Sequence, residues 1–194
     1  MDIVLKGCNG PVEGCVVVPE GVTEIAAGAF ARQKGLRSVE LPSTLVSIGD
    51  EAFIGCSTLE EVVLPEGLVE SGERAFRNCT SLKHVTLPST LEVIADQAFS
   101  SCTKLERVSG GAGVYGVCTE AFAGCKRLVS CEPLSYALDI GDRAFNWCNM
   151  LELEAFPEKM VFIGEHAFRH CLALGDVRMP VDVEYLAENA FEGC

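Results

Sequence analysis

Three histidines and eleven cysteines are the residues of this 194-residue chain best equipped for chemistry. His166-x-x-x-His170, flanked by Glu165 and Cys171, has the residue types of a metal site. On a helix, a spacing of four puts both rings on one face. A zinc helix motif, however, sets Glu directly after the first histidine, and Ala167 stands there. The expectation is a solvated pair of surface histidines and no bound metal. The sequence contains no G-x-S-x-G, phosphate loop or dinucleotide fingerprint. Gly110-Gly111-Ala112-Gly113 is a glycine cluster with no useful helix after it, which argues against phosphate binding. Acidic pairs such as Glu60-Glu61 read as solvated surface. No catalytic residue and no cofactor are expected, and the chain reads as a non-enzyme.

Seven of the cysteines belong to a larger pattern. Ala-Phe recurs every 23 residues, from Ala29-Phe30 to Ala190-Phe191, without insertion or deletion. Cysteine follows Phe by three residues at Cys56, Cys79, Cys102, Cys125, Cys148, Cys171 and Cys194. Such a period marks units that cannot bury their apolar faces alone and must stack. The cysteine column then reads as small buried residues carrying free thiols. Parallel coils about 4.8 Å apart hold equivalent Cβ atoms too far apart for a comfortable disulfide. A straight row also lacks tetrahedral zinc geometry. Off the column lie Cys8, Cys15, Cys118 and Cys131, and Cys8 with Cys15 is the one pair that suggests a bridge.

Each unit contains an apolar-x-apolar-Pro stretch, as in Val39-Glu40-Leu41-Pro42 and Val62-Val63-Leu64-Pro65. Alternation of that kind is strand periodicity, and proline ends the strand because it cannot donate to the ladder. An apolar pair three apart follows, Leu45 with Ile48 and Leu91 with Ile94, where a second short strand fits. Gly49-Asp50 then opens an expected helical turn, with Asp50 capping the amides behind it. The Phe column and a Leu column from Leu36 to Leu174 fill the interior.

The run C-x-x-L-x-x-V-x-L-P-x-x-L-x-x-I-G-x-x-A-F, seen from Cys56 to Phe76 and from Cys79 to Phe99 with minor departures, resembles the BspA-like, Treponema pallidum-type leucine-rich repeats. The resemblance covers Cys15 to Cys194. It implies a leucine-rich repeat solenoid, a right-handed α/β-type coil stack with a parallel β-sheet and one strand per repeat. It also implies a surface or secreted protein used in adhesion or protein recognition, with no catalytic residues to carry over. The expected organisation is a single domain, 1–194, with an N-terminal cap over 1–14 and about eight repeats over 15–194. The last repeat is incomplete, and truncation of a longer array is the favoured explanation. The start of the chain shows no signal peptide.

Three departures from the pattern carry expectations. Ser71 replaces the usual Ile and should leave a small polar hole. Gly110 to Gly113 should loosen one coil. Glu154 falls in a Val column and should turn outward at a local bulge, because an ionised carboxyl is costly in a core.

Net charge is −13, which disfavours nucleic acid and can steer cationic partners. The sequence has no apolar run long enough to span a membrane. Outward columns are then the place to look for function. One face, between the Leu45-type and Ile48-type columns, carries Val46, Val69, Val93, Tyr115, Leu138, Val161, Phe162 and Tyr185. An exposed apolar ridge of this kind marks interaction sites, and its aromatics are the natural anchors. Tyr115, Leu138, Val161, Phe162 and Tyr185 are therefore candidate contacts for a protein partner, with Trp147 as a further exposed anchor. The alternative is a structural module that self-associates into oligomers or filaments through ridges or coil ends.

Overall fold

The computed structural model describes residues 3–7, 10–181 and 183–194. It is a solenoid of 23-residue coils with two rows of short parallel strands. The first row comprises Glu13–Val17, Gly35–Glu40, Glu61–Val63, His84–Leu87, Arg107–Gly110 and Ser130–Cys131. The second row, anticipated only as fitting, runs from Ile3–Leu5 and Val22–Ile25 through Ser47–Ile48, Glu70–Ser71 and Val93–Ile94. It continues through Gly116–Val117, Asp139–Ile140 and Phe162–Ile163 to Tyr185–Leu186. Register is set by the repeat, so Glu61, His84, Arg107 and Ser130 are successive partners. Alternation places Val62, Leu64, Val85 and Leu87 in the core and leaves Val63 and Thr86 outside.

The Ala-Phe segment is not a helical turn. Among the described residues there is no α-helix, and the one helical element is the 3-10 turn Glu132–Ser135. Backbone hydrogen bonds explain why. Alternate amides reach the next coil: Glu51 N–H donates to Glu73 O at 2.8 Å, Phe53 to Ala75 O at 2.7 Å and Gly55 to Arg77 O at 2.7 Å. The amides between them close local turns, Ile54 to Glu51 O at 3.0 Å and Cys56 to Phe53 O at 3.2 Å. Every one of these backbone donors is satisfied, as burial requires. This ladder demands left-handed residues on both sides of Ala-Phe. Glu51, Arg74, Gln97, Glu120, Arg143 and His166 occupy the first position at φ between 54° and 57°. None of them is glycine, so each strains the backbone by about 1–2 kcal/mol, which the inter-coil bonds overcome.

Asp50 also departs from the local reading. Its Oδ1 accepts from the backbone N–H of Glu73, one coil on, at 2.8 Å, and Asp96 and Asp142 repeat the contact to Thr119 and Glu165. Gly49 is needed for close approach, since a Cβ there would lie 2.6 Å from the Ala27 amide nitrogen.

The core is columnar. Seven successive ring pairs from Phe30 to Phe191 stack with centroids 5.0–5.3 Å apart and planes within 14° of parallel. Alanine beside each ring is buried and lets the coils close to that distance. The cysteine column does more than fill space. Cys79 Sγ donates to Phe53 O at 3.2 Å, and the same contact recurs from Cys56 to Cys194. The six column thiols from Cys56 to Cys171 are buried and free, and no disulfide forms among the described residues. The expected Cys8–Cys15 pairing lies outside the described residues, because Cys8 does.

The three departures have distinct outcomes. Ser71 is buried and its Oγ has no hydrogen-bond partner, so the polar hole is present. The second row is interrupted beside it, between Glu70–Ser71 and Val93–Ile94. Replacing Ser71 with Val removes an unsatisfied hydroxyl and fills the hole. It should stabilise the fold by about 1–2 kcal/mol in urea titration, given the typical penalty for a buried unpaired group. Gly110 and Gly111 both take positive φ, and a Cβ on Gly110 would collide with the Leu87 carbonyl. The cluster therefore permits a tight coil and does not loosen it. Glu154 is exposed at a bend, as expected, and Phe156 turns inward instead, edge-on to Phe168 at 5.3 Å. Beyond Ser130–Cys131 the first row shrinks, among the described residues, to the single bridge Ala155–Arg178.

Candidate functional site

Two adjoining columns of the second row carry the aromatic candidates. Tyr115, Leu138 and Val161 follow one another in one column, joined by backbone bonds from Leu138 N–H to Tyr115 O at 2.7 Å and from Val161 N–H to Leu138 O at 2.8 Å. Phe162 and Tyr185 are strand partners in the next column, their rings stacked 4.8 Å apart at 10°. Tyr115 and Tyr185 are 44 % and 48 % exposed, while Leu138, Val161 and Phe162 are half-buried. The structure thus places these five residues on one face. Gly116 interrupts the second column and leaves a shallow depression of about 350 Å³ lined by Val93, Tyr115, Asp139 and Phe162, among others. Val46 and Val69 extend the first column toward the N-terminus, but exposed Glu92 separates them from Tyr115.

Trp147 is not part of that face. It occupies the left-handed position after Ala-Phe, φ 63°, and packs against His170 with ring centroids 4.1 Å apart. His166 and His170 are both left-handed, so the one-face helical geometry is absent. His166 Nε2 lies 3.2 Å from Asn189 Nδ2. The Glu192 carboxylate sits 3.1 Å from Arg169 Nε, as an ion-pair contact, and 3.1 Å from His166 Nδ1, and neither is an aligned hydrogen bond. Cys171 is committed to Phe145 O, and among the described residues no three metal-ligating side chains converge.

The buried thiols are poor nucleophiles. Burial pushes Cys56 up to about 11 and Cys79, Cys102 and Cys148 well above the usual thiol range, because a thiolate would be desolvated. Cys118 is also raised, first by burial and then by Asp96 nearby.

A second depression escaped the sequence reading. It lies along the first-row edge, has a volume of about 420 Å³ and is lined by His84, Glu106, Arg107, Arg127, Val129, Ser130 and Met150. These residues come from adjacent coils 20–23 positions apart, so no local motif announces them. The signal available was the clustering of Lys104, Arg107, Lys126 and Arg127 in an otherwise acidic chain.

Comparison with known proteins agrees with the coil architecture. The model for a BspA type leucine rich repeat region matches residues 14–129 and 138–194 in 6 copies. The crystal structure of a T. pallidum leucine-rich repeat protein superposes with a TM-score of 0.74 at 34 % identity, over 84 % of this chain and 78 % of that one. A leucine-rich repeat protein from Eubacterium ventriosum gives 0.77 at 21 % identity, over 95 % of this chain and 49 % of the other. The pneumococcal vaccine antigen PcpA gives 0.53 at 21 %, over 87 % and 51 %. The chain thus spans about half the length of the latter two, whose likeness concerns the fold alone. No curated protein sequence matches the chain. With its 23-residue coils, stacked Phe column and family match over most of its length, the chain belongs to the BspA-type leucine-rich repeat family.

Proposed function

We propose that this chain is a non-enzymatic protein-recognition scaffold, an adhesin-like or surface-recognition module. Its partner-binding ridge is Tyr115, Leu138, Val161, Phe162 and Tyr185. The observation that carries this reading is the stacked pair of half-buried Phe162 and half-exposed Tyr185 beside half-exposed Tyr115. Their rings are pre-ordered on a rigid sheet, so docking loses little side-chain entropy. Aromatic anchors of this type dominate many interfaces.

The Phe162→Ser/Tyr185→Ser double variant tests the ridge. Partners captured by the wild-type chain and identified by mass spectrometry should bind the variant at least about 30-fold more weakly, the scale of a lost aromatic hot spot. Unchanged capture counts against the ridge. The self-association reading pairs the same apolar surface laterally or stacks coil ends. Light scattering over a concentration series separates the two, since a strict monomer at high concentration removes assembly.

A further inference from the structure

We infer that the depression on the first-row edge is a docking site for a short acidic protein segment that carries an apolar side chain next to its carboxylates. The inference is independent of the aromatic ridge. It starts from a charge anomaly. The chain has 28 acidic and 15 basic residues, yet this hollow is lined by Arg107 and Arg127 against a single carboxylate, Glu106. Both guanidinium groups are exposed, and among the described residues neither lies within ion-pair distance of a carboxylate. Lys104 and Lys126 are exposed alongside them in the sequence.

The neighbouring coils behave differently. Lys83 Nζ is paired to Glu60 Oε2 at 2.9 Å, part of a column in which Arg37, Glu60, Lys83 and Glu106 alternate in sign. The next residues of that column are half-buried Val129 and then Glu152. At Val129 the internal pairing stops, and the arginines are left to meet an outside anion.

The apolar part of the site defines the partner further. Val129 and 49 %-exposed Met150 line the same hollow. Arg127 and Met150 are equivalent residues of adjacent coils, so their backbones stand about 4.8 Å apart. A chain running along the solenoid can set a carboxylate on the arginines, where guanidinium offers two parallel donors, and an apolar side chain on Met150. A long polyanion fits poorly. It would run onto Glu60, Glu61, Glu132 and Glu152, all exposed around the hollow. A short acidic segment ends before them.

Fluorescence anisotropy with labelled peptides provides the test. The probes are a short peptide of alternating Glu and Leu and its Gln-Leu and Lys-Leu counterparts. Measurement at ~0.15 M salt, where the Debye length is about 8 Å, screens the −13 net charge and isolates contact pairing. The Glu-Leu peptide should bind and the other two should not. The Arg107→Glu/Arg127→Glu variant, shown folded by circular dichroism, should weaken that binding at least about ten-fold, since charge-assisted pairs turn repulsive. Phe162→Ser/Tyr185→Ser should bind the peptide as the wild-type chain does. Equal binding of Gln-Leu, indifference to the arginine reversal, or loss of binding in the Phe162/Tyr185 variant overturns the site. Tighter binding of heparin or single-stranded DNA than of the peptide overturns the assignment to protein.

Discussion

Truncating Phe99 to Ala is expected to destabilise the fold by about 4–5 kcal/mol, the upper end for an aromatic core truncation. Two features put it there. The Phe99 ring stacks on both Phe76 and Phe122, with centroids 5.3 Å away on either side. Nor can the cavity close by collapse along the solenoid. Coil separation around the ring is held by Ser101 N–H to Ala123 O at 2.7 Å, Phe99 N–H to Ala121 O at 2.8 Å and Gln97 N–H to Thr119 O at 2.9 Å. Relaxation is what spares many core truncations, and these bonds oppose it. In a quasi-one-dimensional array the same change removes two nearest-neighbour interactions at once. Phe30, with one stacked neighbour in the column, Phe53, should lose less, about 3 kcal/mol for Ala. Urea unfolding of the two variants checks the order. Because small domains are stable by only about 5–15 kcal/mol, Phe99→Ala should also uncouple the halves and split one transition into two. A cost below about 2 kcal/mol, or no difference between the positions, contradicts the columnar core.

The columns themselves were legible because the period never slips. Once Ala-Phe returns without insertion or deletion, each residue's inward or outward place follows from its number, including the burial of Ser71; Glu154 falls in an inward column, and its outward turn follows from the cost of burying a carboxyl. What sequence alone misread was local backbone. Gly-Asp followed by Ala-Phe has the chemistry of a helix start, and a local rule assigns Asp50 to its own turn. The winning interaction is non-local, an amide of the next coil, and it forces residues such as Gln97 and Glu120 into a left-handed region that their type disfavours. Nothing about Gln or Glu signals this. The cysteine column was read as filler because a thiol is small and apolar, and its donation to a Phe carbonyl becomes visible only when coils are placed side by side. The aromatic ridge was partly legible, since outward positions were numbered correctly. The separation of Val46 and Val69 from Tyr115 by Glu92 lies in the same period, since 46, 69, 92 and 115 are 23 apart. The basic hollow stayed hidden for the same reason as the thiol contact. Arg107, Arg127 and Met150 are neighbours only across coils.

Raising the pH should unfold this protein steeply, and the thiol column is the reason. Six buried thiols, Cys56, Cys79, Cys102, Cys125, Cys148 and Cys171, each donate to a Phe carbonyl in the preceding coil. A thiolate can no longer donate, and it would face both the carbonyl and a dry interior. Burial accordingly raises every one of them, Cys56 to about 11 and the others further in the same direction. The sign follows directly. Below the unfolded thiol value of about 8.5 both states keep the proton, and the full stability is present. Above it the unfolded chain releases protons that the folded chain retains, so stability falls until the folded values are passed. Each thiol contributes about 1.4 kcal/mol per pH unit in that window, hence about 8 kcal/mol per unit for the column at full slope. A domain stable by about 5–15 kcal/mol should therefore unfold cooperatively near pH 10. The urea midpoint measured from pH 7 to 10.5 gives the profile, and thiol titration with a chromogenic disulfide should find few reactive groups before unfolding and many after. Lysine and tyrosine also titrate at high pH, so the decisive comparison is Cys102→Ala/Cys125→Ala. That variant should start less stable at pH 7 by about 1–3 kcal/mol for two lost hydrogen bonds, yet its alkaline slope should be shallower by about 3 kcal/mol per pH unit, the share of two thiols. An alkaline slope identical to that of the wild-type chain would mean that the column keeps its protons for no energetic reason, and that its cysteines only fill space.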